Sequence, residues 1–539
     1  MYDEYYIADF ETSNNWEAGL KPQDCNAWVW LWTMTEIGNL DIDGVMFGSD
    51  ITSFLAKCDE LSQDGEIVVF FHNLKYDGSY LLNNLPLAEV ETVIDGFGRF
   101  YEIKYKNIRF WDSLKKINSS VLQIGRDFKT QYQKIEDFDY SNRTLDYTPT
   151  EDDILYAKHD VLVMSEALAE LFKNGMKGMT VSGDAFKLAK NSVGWKTFER
   201  LFPCSNELDR LIRPSYFGGW VYLNPKYAEK KIQNFFIYDV NSEYPAVCVN
   251  EPLPYGKPKF VDEIPKGLFI IKFKGTAKLK ESVFPFVSMK GNFRYCQTDL
   301  LTETDGLESF TMTSVDYYAF LEYYNVEIYK IDWILSFKSR KGIFKEFIEI
   351  NYEIKNNSVG AAKAVAKLKM NSFTGRMAMN PERKNKVPSI EDDILKFREG
   401  DLDVVDSIYP AFTAFITAYG RRYVHDLACS LGDNFIYSDT DSIHTFQQLP
   451  SEKIDEIALG KFKEENVCKS GLYLRPKTYM YTNNKGQTKV KCAGLPIKGK
   501  QLITYDNFKP GLVLEDVKNQ AKQARGGIIL VPGPFKIRV

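Results

Sequence analysis

The chain has 539 residues, of which 44% are apolar and 26% charged, with a net charge of −5. That length predicts two or more domains with ample core, and the composition is that of an ordinary globular protein. No apolar run reaches about 18 residues, so no membrane segment is predicted, and the acidic start Met1-Tyr2-Asp3-Glu4 argues against a secretory signal. Eight scattered cysteines without a Cys-X-X-Cys pair speak against a disulfide framework or zinc knuckle and suit a reducing cytoplasm. Only four histidines occur, none with zinc-ligand spacing, so any metal is expected on carboxylates, hence Mg²⁺ or Mn²⁺.

In chain order, Tyr5–Thr12 reads as a strand, with Asp9 and Glu11 on one face. Val29–Met34 predicts a neighbouring strand. Ile67–Phe71 is a short apolar strand ending at His72-Asn73-Leu74-Lys75-Tyr76-Asp77-Gly78, and Ile108–Trp111 is a fourth, running into Asp112-Ser113. After Pro149, Thr150 is expected to cap a helix with Glu151, Asp152 and Asp153 in its first turn. On that helix Tyr156 and Asp160 are one turn apart. Asp9, Glu11, Asp77 and Asp160 are about the number of carboxylates that two divalent cations roughly 4 Å apart need to activate water and hold a phosphodiester. Tyr156 is suited to orienting that water.

Farther along, Ser215-Tyr216-Phe217-Gly218-Gly219 is a turn whose paired glycines permit close backbone approach to a ligand. Phe235–Val240 reads as a strand delivering Asp239 to its end, before a turn closed at Pro245 whose backbone N–H groups suit a triphosphate. Residues 256–345 read as mixed α/β. Gly360–Phe373 is helix-prone, with Lys363, Lys367 and Asn371 on one face. That face is either simply solvated or presents Lys367 to β- and γ-phosphates, and Thr374-Gly375-Arg376 ends the helix. The charged stretch 377–408 reads as an exposed loop or small hairpin. Phe415–Arg422 opens another helix, with Arg421 a candidate phosphate contact. Tyr437–Ser442 reads as strand, acidic turn, strand. Asp439 and Asp441 there are either a solvated turn or, with Asp239, carboxylates held together by a cation. Lys477-X-Tyr479, placed on a strand, would put both side chains on one face, suited to a backbone phosphate and a base edge. Gly526–Val531 reads as a closing hairpin. Charge is uneven: 12 acidic residues against two lysines in the first 60 positions, but 14 Lys/Arg against four acids from Glu465 to the end. That suggests a metal-binding part and a polyanion-binding part in one chain.

Taken in order, Asp9-X-Glu11, Asn73-X-X-X-Asp77 and Tyr156-X-X-X-Asp160 resemble the Tyr-containing DEDD 3′–5′ exonucleases of DNA polymerases. The resemblance implies an RNase H-like α/β fold, single-strand ligands Thr12, His72, Asn73, Tyr76, Tyr80, Ser113 and Leu114, and Lys134 as the exonuclease lysine. The set Asp239-Val240-Asn241-Ser242-X-Tyr244-Pro245, Lys367-Leu368-X-X-Asn371-Ser372-X-X-Gly375, Tyr437-X-Asp439-Thr440-Asp441-Ser442 and Lys477-X-Tyr479 is similar to the family B DNA polymerases. Tyr216-X-Gly218-Gly219, Thr417-X-X-Gly420-Arg421 and the compact length are similar to the protein-primed branch of small tailed phages and linear plasmids.

This resemblance implies an α/β multidomain chain: an exonuclease domain at 1–180, a palm at 181–255 and 409–505, fingers at 346–376 and a thumb at 506–539. Two insertions would lie at 256–345, contacting a priming terminal protein, and at 377–408, serving processivity and strand displacement. It implies two metal ions per active site. Asp239 and Asp441 would be principal ligands in the palm, with Asp439 and the Val240 carbonyl assisting; Asp9, Glu11, Asp77 and Asp160 would be the ligands in the exonuclease. Lys363, Lys367, Asn371, Lys477, Tyr479 and Tyr244 would hold the nucleotide, Tyr244 excluding a 2′-hydroxyl. Tyr216, Gly218, Gly219, Ser242, Arg376, Thr417 and Arg421 would contact DNA. The implied partners are primer-template DNA, dNTPs and the terminal protein, and the chain would act in the cytoplasm as a monomer or as a heterodimer with that protein.

Two positions depart from the pattern. Glu243 stands where the branch usually has an apolar residue, and it either points away from the nucleotide or weakens triphosphate binding. Thr374 stands where the fingers usually carry a Tyr that packs on the nascent base pair. Two other classes remain readable: a nuclease whose remaining two-thirds is a DNA-binding platform, and a non-enzymatic DNA-end-binding protein with every acid solvated.

Overall fold

The computed structural model describes residues 4–136, 138–139, 143–289, 292, 294 and 300–538; the Met1–Asp3 start lies outside the described residues. The N-terminal sheet has seven strands: β1 (Glu4–Asn14), β2 (Ala27–Glu36), β3 (Met46–Gly48), β4 (Ile67–Phe71), β5 (Val90–Ile94), β6 (Phe100–Tyr105) and β7 (Ile108–Asp112). Their spatial order is β3-β2-β1-β4-β7-β6-β5, with β4 parallel to both β1 and β7. A central parallel strand has helices over both faces and reads as an unbroken apolar run. All five residues of β4 are accordingly buried. Val69 and Phe71 pack toward helices α1 (Ile51–Leu61) and α2 (Leu74–Asn84). Val68 and Phe70 pack toward α3 (Val121–Phe128) and α4 (Glu151–Lys173). The cap expected at Thr150 is a full capping box, with the Thr150 hydroxyl accepting from the Asp153 N–H and the Asp153 carboxylate accepting from the Thr150 N–H.

Helices α5 (Val181–Val193), α6 (Trp195–Leu201) and α7 (Asn206–Ile212) lead through the 215–219 turn into a second seven-stranded sheet. Its first members are β8 (Val221–Leu223) and β9 (Lys231–Val240). Helix α8 (Glu243–Asn250) follows, and then a four-stranded unit: β10 (Leu253–Val261), β11 (Leu268–Leu279), β12 (Glu308–Thr313) and β13 (Tyr324–Arg340), with α9 (Ser314–Tyr323) packed on it. Helices α10 (Lys345–Asn357) and α11 (Gly360–Met377) form an antiparallel pair. The charged stretch after them is the hairpin β14 (Glu382–Glu391) and β15 (Ile394–Val404). Helix α12 spans Pro410–Leu431; it begins at Pro410, where proline suits the first turn of a helix, rather than at Phe415.

The second sheet is completed by β16 (Phe435–Asp439), β17 (Ser442–Thr445), β18 (Phe462–Arg475), β19 (Thr478–Asn483) and β20 (Thr488–Cys492), in the order β20-β19-β18-β9-β17-β16-β8. Tyr238 and Val240 face α12, while Phe235 and Ile237 face the opposite way with Tyr437 and Tyr473. Period-two alternation therefore aims Asp239 away from α12. Lys477 is not on a strand. It sits in the tight turn between β18 and β19 with φ of +59°, so strand alternation does not place it on one face with Tyr479.

After the short α13 (Ile497–Gln501), the chain ends in the hairpin β21 (Val513–Ala524) and β22 (Gly527–Lys536). This hairpin closes back on the N-terminal sheet. Ala524, Ile528 and Ile529 join the same core as β4 and α2. Arg525 exchanges backbone hydrogen bonds with Cys25 and Ala27, and the Tyr80 hydroxyl donates to the Ile528 carbonyl at 2.8 Å. Tyr80, expected among the single-strand ligands, is thus packed into the core at this junction, 1% exposed. Its ring occupies the space beside Gly527, where an added Cβ would come within 2.2 Å of it. Gly527→Ala should therefore cost about 1–3 kcal/mol by overpacking. Hydrogen exchange should show faster opening of β21 and β22 with the second sheet unchanged.

Candidate active sites

The first carboxylate centre lies at the C-terminal end of the N-terminal sheet. β1 supplies Asp9 and Glu11, the first turn of α2 supplies Asp77, and α4 supplies Asp160. Ligand oxygens of Asp9, Glu11 and Asp160 all lie within 4.8 Å of one another. Burial raises the pKa of each of the four, and mutual repulsion adds to it for Asp9, Glu11 and Asp77. One cation from the protein answers this charge: the Lys134 ammonium pairs with Asp160 and donates to the Tyr156 hydroxyl at 3.0 Å. Phe138 stacks on the Tyr156 ring at 3.9 Å. An all-oxygen donor set at this spacing fits hard divalent cations.

These groups line a cleft of about 560 Å³ together with Thr12, His72, Asn73 and Tyr76. The Thr12 and Tyr76 hydroxyls are 2.7 Å apart. Asn73 adopts φ of +80°, which turns the chain from β4 into α2, and Asp112 accepts from the N–H groups of Asn73 and Leu74. Ser113 and Leu114 do not line the cleft. Ser113 is fully buried, and its Oγ lies 2.8 Å from His72 Nδ1, so it orients the histidine rather than a nucleotide. The Leu114 N–H donates to Asp112. Asn519 and Leu530 of the C-terminal hairpin complete the wall, a contribution no local motif announces.

The second centre lies on the sheet face away from α12. Asp239 ends β9, paired across from Ser442 on one side and Lys463 on the other. The acidic turn joins β16 to β17, with Thr440 at φ of +66°. Its backbone is held by hydrogen bonds from the Val240 N–H to the Asp441 carbonyl (2.8 Å) and from the Thr440 N–H to the Trp220 carbonyl (2.9 Å). Gly219 lies directly against this turn, since a Cβ there would fall 2.5 Å from Thr440 Cγ2. Gly218 has open space around it. Burial and the neighbouring Asp239 push the Asp441 carboxyl up to about 6. Burial likewise raises Asp239, partly offset by the Lys463 ammonium at 3.6 Å. Lys477 Nζ donates to Asp439 at 2.5 Å. Tyr479 is mostly buried, stacked on Tyr473 beside His444, and its ring forms part of a cleft of about 440 Å³ with the three aspartates.

Lys363, Lys367 and Asn371 are exposed along one face of α11, while Val365, Ala366, Met370 and Phe373 are buried. Lys367 acts electrostatically on Asp239, so that face is turned toward the palm carboxylates. Two lysines that carry no motif join it. Lys355 of α10 donates to Ser242 Oγ at 2.9 Å, and burial together with Lys463, Lys367 and Lys363 drops its ammonium to about 8. Half-buried Tyr244 stands in the first turn of α8. Arg376 is half-buried, with its pKa lowered by burial and by Arg383 of the β14–β15 hairpin. Tyr216 is half-buried in the turn before β8.

Two of the expected contacts, and the departing Thr374, are engaged within the protein. Arg421 is 5% exposed and makes a bidentate ion pair with Asp316 of α9 at 2.8 Å. Its other nitrogen donates to the Phe217 and Gly218 carbonyls. It clamps the 215–219 turn and the inserted unit to α12 through both terminal nitrogens. Thr417 is buried and returns its hydroxyl to the Thr413 and Ala414 carbonyls of its own helix. Thr374 is also buried, and its carbonyl accepts from Thr413.

Comparisons with known proteins give the class as DNA polymerase. The family model described as DNA polymerase type B, organellar and viral, matches residues 136–458. The DNA polymerase of Bacillus phage M2 is 34% identical over the whole of both chains. That of Bacillus phage phi29 is 33% identical over 99% of each. A solved structure of phi29 DNA polymerase complexed with primer-template DNA and incoming nucleotide substrates superimposes with a TM-score of 0.89 at 32% identity, covering 99% of this chain and 100% of that one. The chain belongs to the type B DNA polymerases of organelles and viruses. Polymerases of this family use divalent metal, for which the first centre has a suitably spaced set of oxygen donors. Among the described residues no helix is long and apolar enough to cross a membrane.

Glu243 lies in the first turn of α8, within electrostatic reach of the second carboxylate centre. It is buried against Gly420 of α12, and both carboxylate oxygens lack a hydrogen-bond partner. Burial and the Asp441 and Asp239 carboxylates raise its pKa well above the ordinary 4.5. A carboxyl raised in the folded state costs least below its unfolded pKa, and the cost grows as pH rises through the folded value. Glu243→Leu should therefore stabilise the fold by about 1–3 kcal/mol at pH 8, with a gain that shrinks toward pH 4.5 in thermal unfolding. Arg421→Lys should do the reverse. A lysine has one nitrogen and cannot pair with Asp316 and reach the Phe217 and Gly218 carbonyls at once, at a cost of about 1–3 kcal/mol, read by the same measurement.

Proposed function

We propose that the two carboxylate centres carry out two opposed reactions of one DNA polymerase: nucleotide addition at the second sheet and 3′–5′ removal at the first. The observation that carries this reading is the pair of separate acid sets, each with its own lysine, in a chain of a DNA polymerase family. In the second centre Asp239 and Asp441, with Asp439 and the Val240 carbonyl, would hold two Mg²⁺ or Mn²⁺ ions. Those ions supply charge neutralisation and activation of the primer hydroxyl. The chain's own work is positioning. Lys363, Lys367, Asn371 and Lys355 present positive charge and donors to the triphosphate from the fingers side. Lys477 keeps Asp439 oriented. Tyr244 closes the floor under the sugar and would exclude a 2′-hydroxyl, and Tyr479 lines the primer side.

In the first centre Asp9, Glu11, Asp77 and Asp160 would hold metal, Tyr156 would orient the attacking water, and Lys134 would fix both Tyr156 and Asp160. Thr12, His72, Asn73 and Tyr76 would cradle the frayed 3′ end, with base stacking on aromatic rings as the sequence-tolerant part.

The domain assignment follows: exonuclease 1–180, palm 181–255 and 409–505, fingers 346–376, thumb 506–539, and insertions at 256–345 and 377–408. Contact of the β14–β15 and β21–β22 hairpins with each other and with the exonuclease sheet supports a role in enclosing DNA, for processivity and strand displacement. Likeness to the phage polymerases supports priming by a terminal protein that meets the 256–345 unit, with work in the host cytoplasm.

Primer extension with Mg²⁺ and dNTPs tests the division of labour. Asp441→Ala should lose synthesis by about three orders of magnitude or more and keep 3′–5′ degradation, while Asp9→Ala/Glu11→Ala should do the opposite. Normal extension by Asp441→Ala would refute the assignment.

A further inference from the structure

Lys463 comes to the second centre from the sheet rather than the fingers, and neither the motifs nor the comparisons assign it a role. It lies directly across from Asp239 on β18. Cross-strand partners in an antiparallel pair project to the same face. Phe462 and Val240, the adjacent pair, both point into the core beneath α12, which confirms that Lys463 and Asp239 point out together. The ammonium is 3.6 Å from Asp239 Oδ2, and its side chain is 37% exposed, so it is neither locked in a tight pair nor free in solvent.

Its surroundings fix where it can reach. Lys463 does not line the cleft that holds Tyr479 and the three aspartates. It lies on the fingers side instead, where it is the strongest of the charges that depress the Lys355 ammonium, ahead of Lys367 and Lys363. Lys355 in turn donates to Ser242, which precedes the first turn of α8. Four ammonium groups from α10, α11 and β18 thus face one space at the head of α8. Four like charges gathered this closely outnumber the Asp239 carboxylate that faces them, and such an excess suits a polyanion. Loop 455–461 ties the two sides together: Tyr352 of α10 donates to the Ile457 carbonyl, and Asn241 donates to Asp455 and Ala458. Lys463 follows that loop on a paired strand, so its position does not depend on movement of the fingers helix.

We propose that Lys463 is a palm-side contact for the phosphate tail of the incoming nucleotide and of the pyrophosphate that leaves, gripping it from the side opposite Lys363 and Lys367. This rests on the reading of the α11 face as a triphosphate site. The fingers lysines arrive with their helices; Lys463 is a fixed counter-charge beside the metal ligands.

The test measures equilibrium binding to full-length protein carrying Asp9→Ala/Glu11→Ala, on a dideoxy-terminated primer-template with saturating Ca²⁺, so that no turnover occurs. Lys463→Ala should weaken both dNTP and pyrophosphate by about tenfold, with primer-template affinity within about twofold of the parent. Lys463→Arg should restore most of the loss. Lys367→Ala serves as reference. If Lys367→Ala loses dNTP affinity and Lys463→Ala does not, the role of Lys463 is refuted while the α11 site stands. If neither loses it, the α11 reading fails and takes the proposal with it. If Lys463→Ala weakens DNA as much as nucleotide, or alters only the Ca²⁺ concentration needed, Lys463 merely holds Asp239 and the proposal is overturned.

Discussion

Like-charge repulsion between half-buried carboxylates is the constraint around which this molecule is arranged. At each centre several acids are held close in a medium that screens them poorly, and burial pushes their pKa values upward. A fold accepts that arrangement only if its backbone forbids the acids to separate. Here the restraint is hydrogen-bonded sheet. Asp9 and Glu11 are fixed in register against β2, just beyond the point where β1 leaves β4, and Asp239 between β17 and β18. The positive-φ turn at Thr440 is pinned by Trp220 and crowded by Gly219, so the acidic hairpin has little freedom to relax.

Counter-charge is then distributed asymmetrically. The first centre has Lys134, held by Asp160 and Tyr156. The second has Lys463 on a strand and Lys477 in the turn after it, with Lys355, Lys363 and Lys367 on helices. Charge on a rigid strand shapes a site before substrate arrives, whereas charge on a helix pair can be delivered with it. The net acidity of the chain is no obstacle to a polyanionic ligand, because the field at the cleft is set by these few groups.

Much of this was legible in the sequence where the signal is local. Asp-X-Glu on a strand, the Thr150 cap, the Lys363, Lys367 and Asn371 spacing and the acidic hairpin each depend on residues a few positions apart. The failures share a different cause. Tyr80 looks like an exposed aromatic ligand until the hairpin more than 400 residues later covers it. Arg421 looks like a phosphate contact until Asp316 meets it from another unit, and Thr417 is spent on its own helix. Lys477 was assigned strand alternation when its positive φ places it in a turn. Lys355 and Lys463 went unnoticed because a single lysine on an amphipathic helix or strand has no pattern; only proximity to Asp239 and Ser242 singles them out.

The docking of the last hairpin on the first sheet has a consequence for how the chain can be taken apart. Ala524, Ile528 and Ile529 belong to the same core as Phe54, Phe71 and Leu81, and Asn519 and Leu530 wall the first cleft. The N-terminal sheet is therefore not a self-sufficient module. Cut away from its C-terminus, it would expose an apolar flank and an unfinished wall. During synthesis the first cleft lacks part of its wall until Asn519 and Leu530 have emerged, so a cleft whose acids appear among the first residues closes only late.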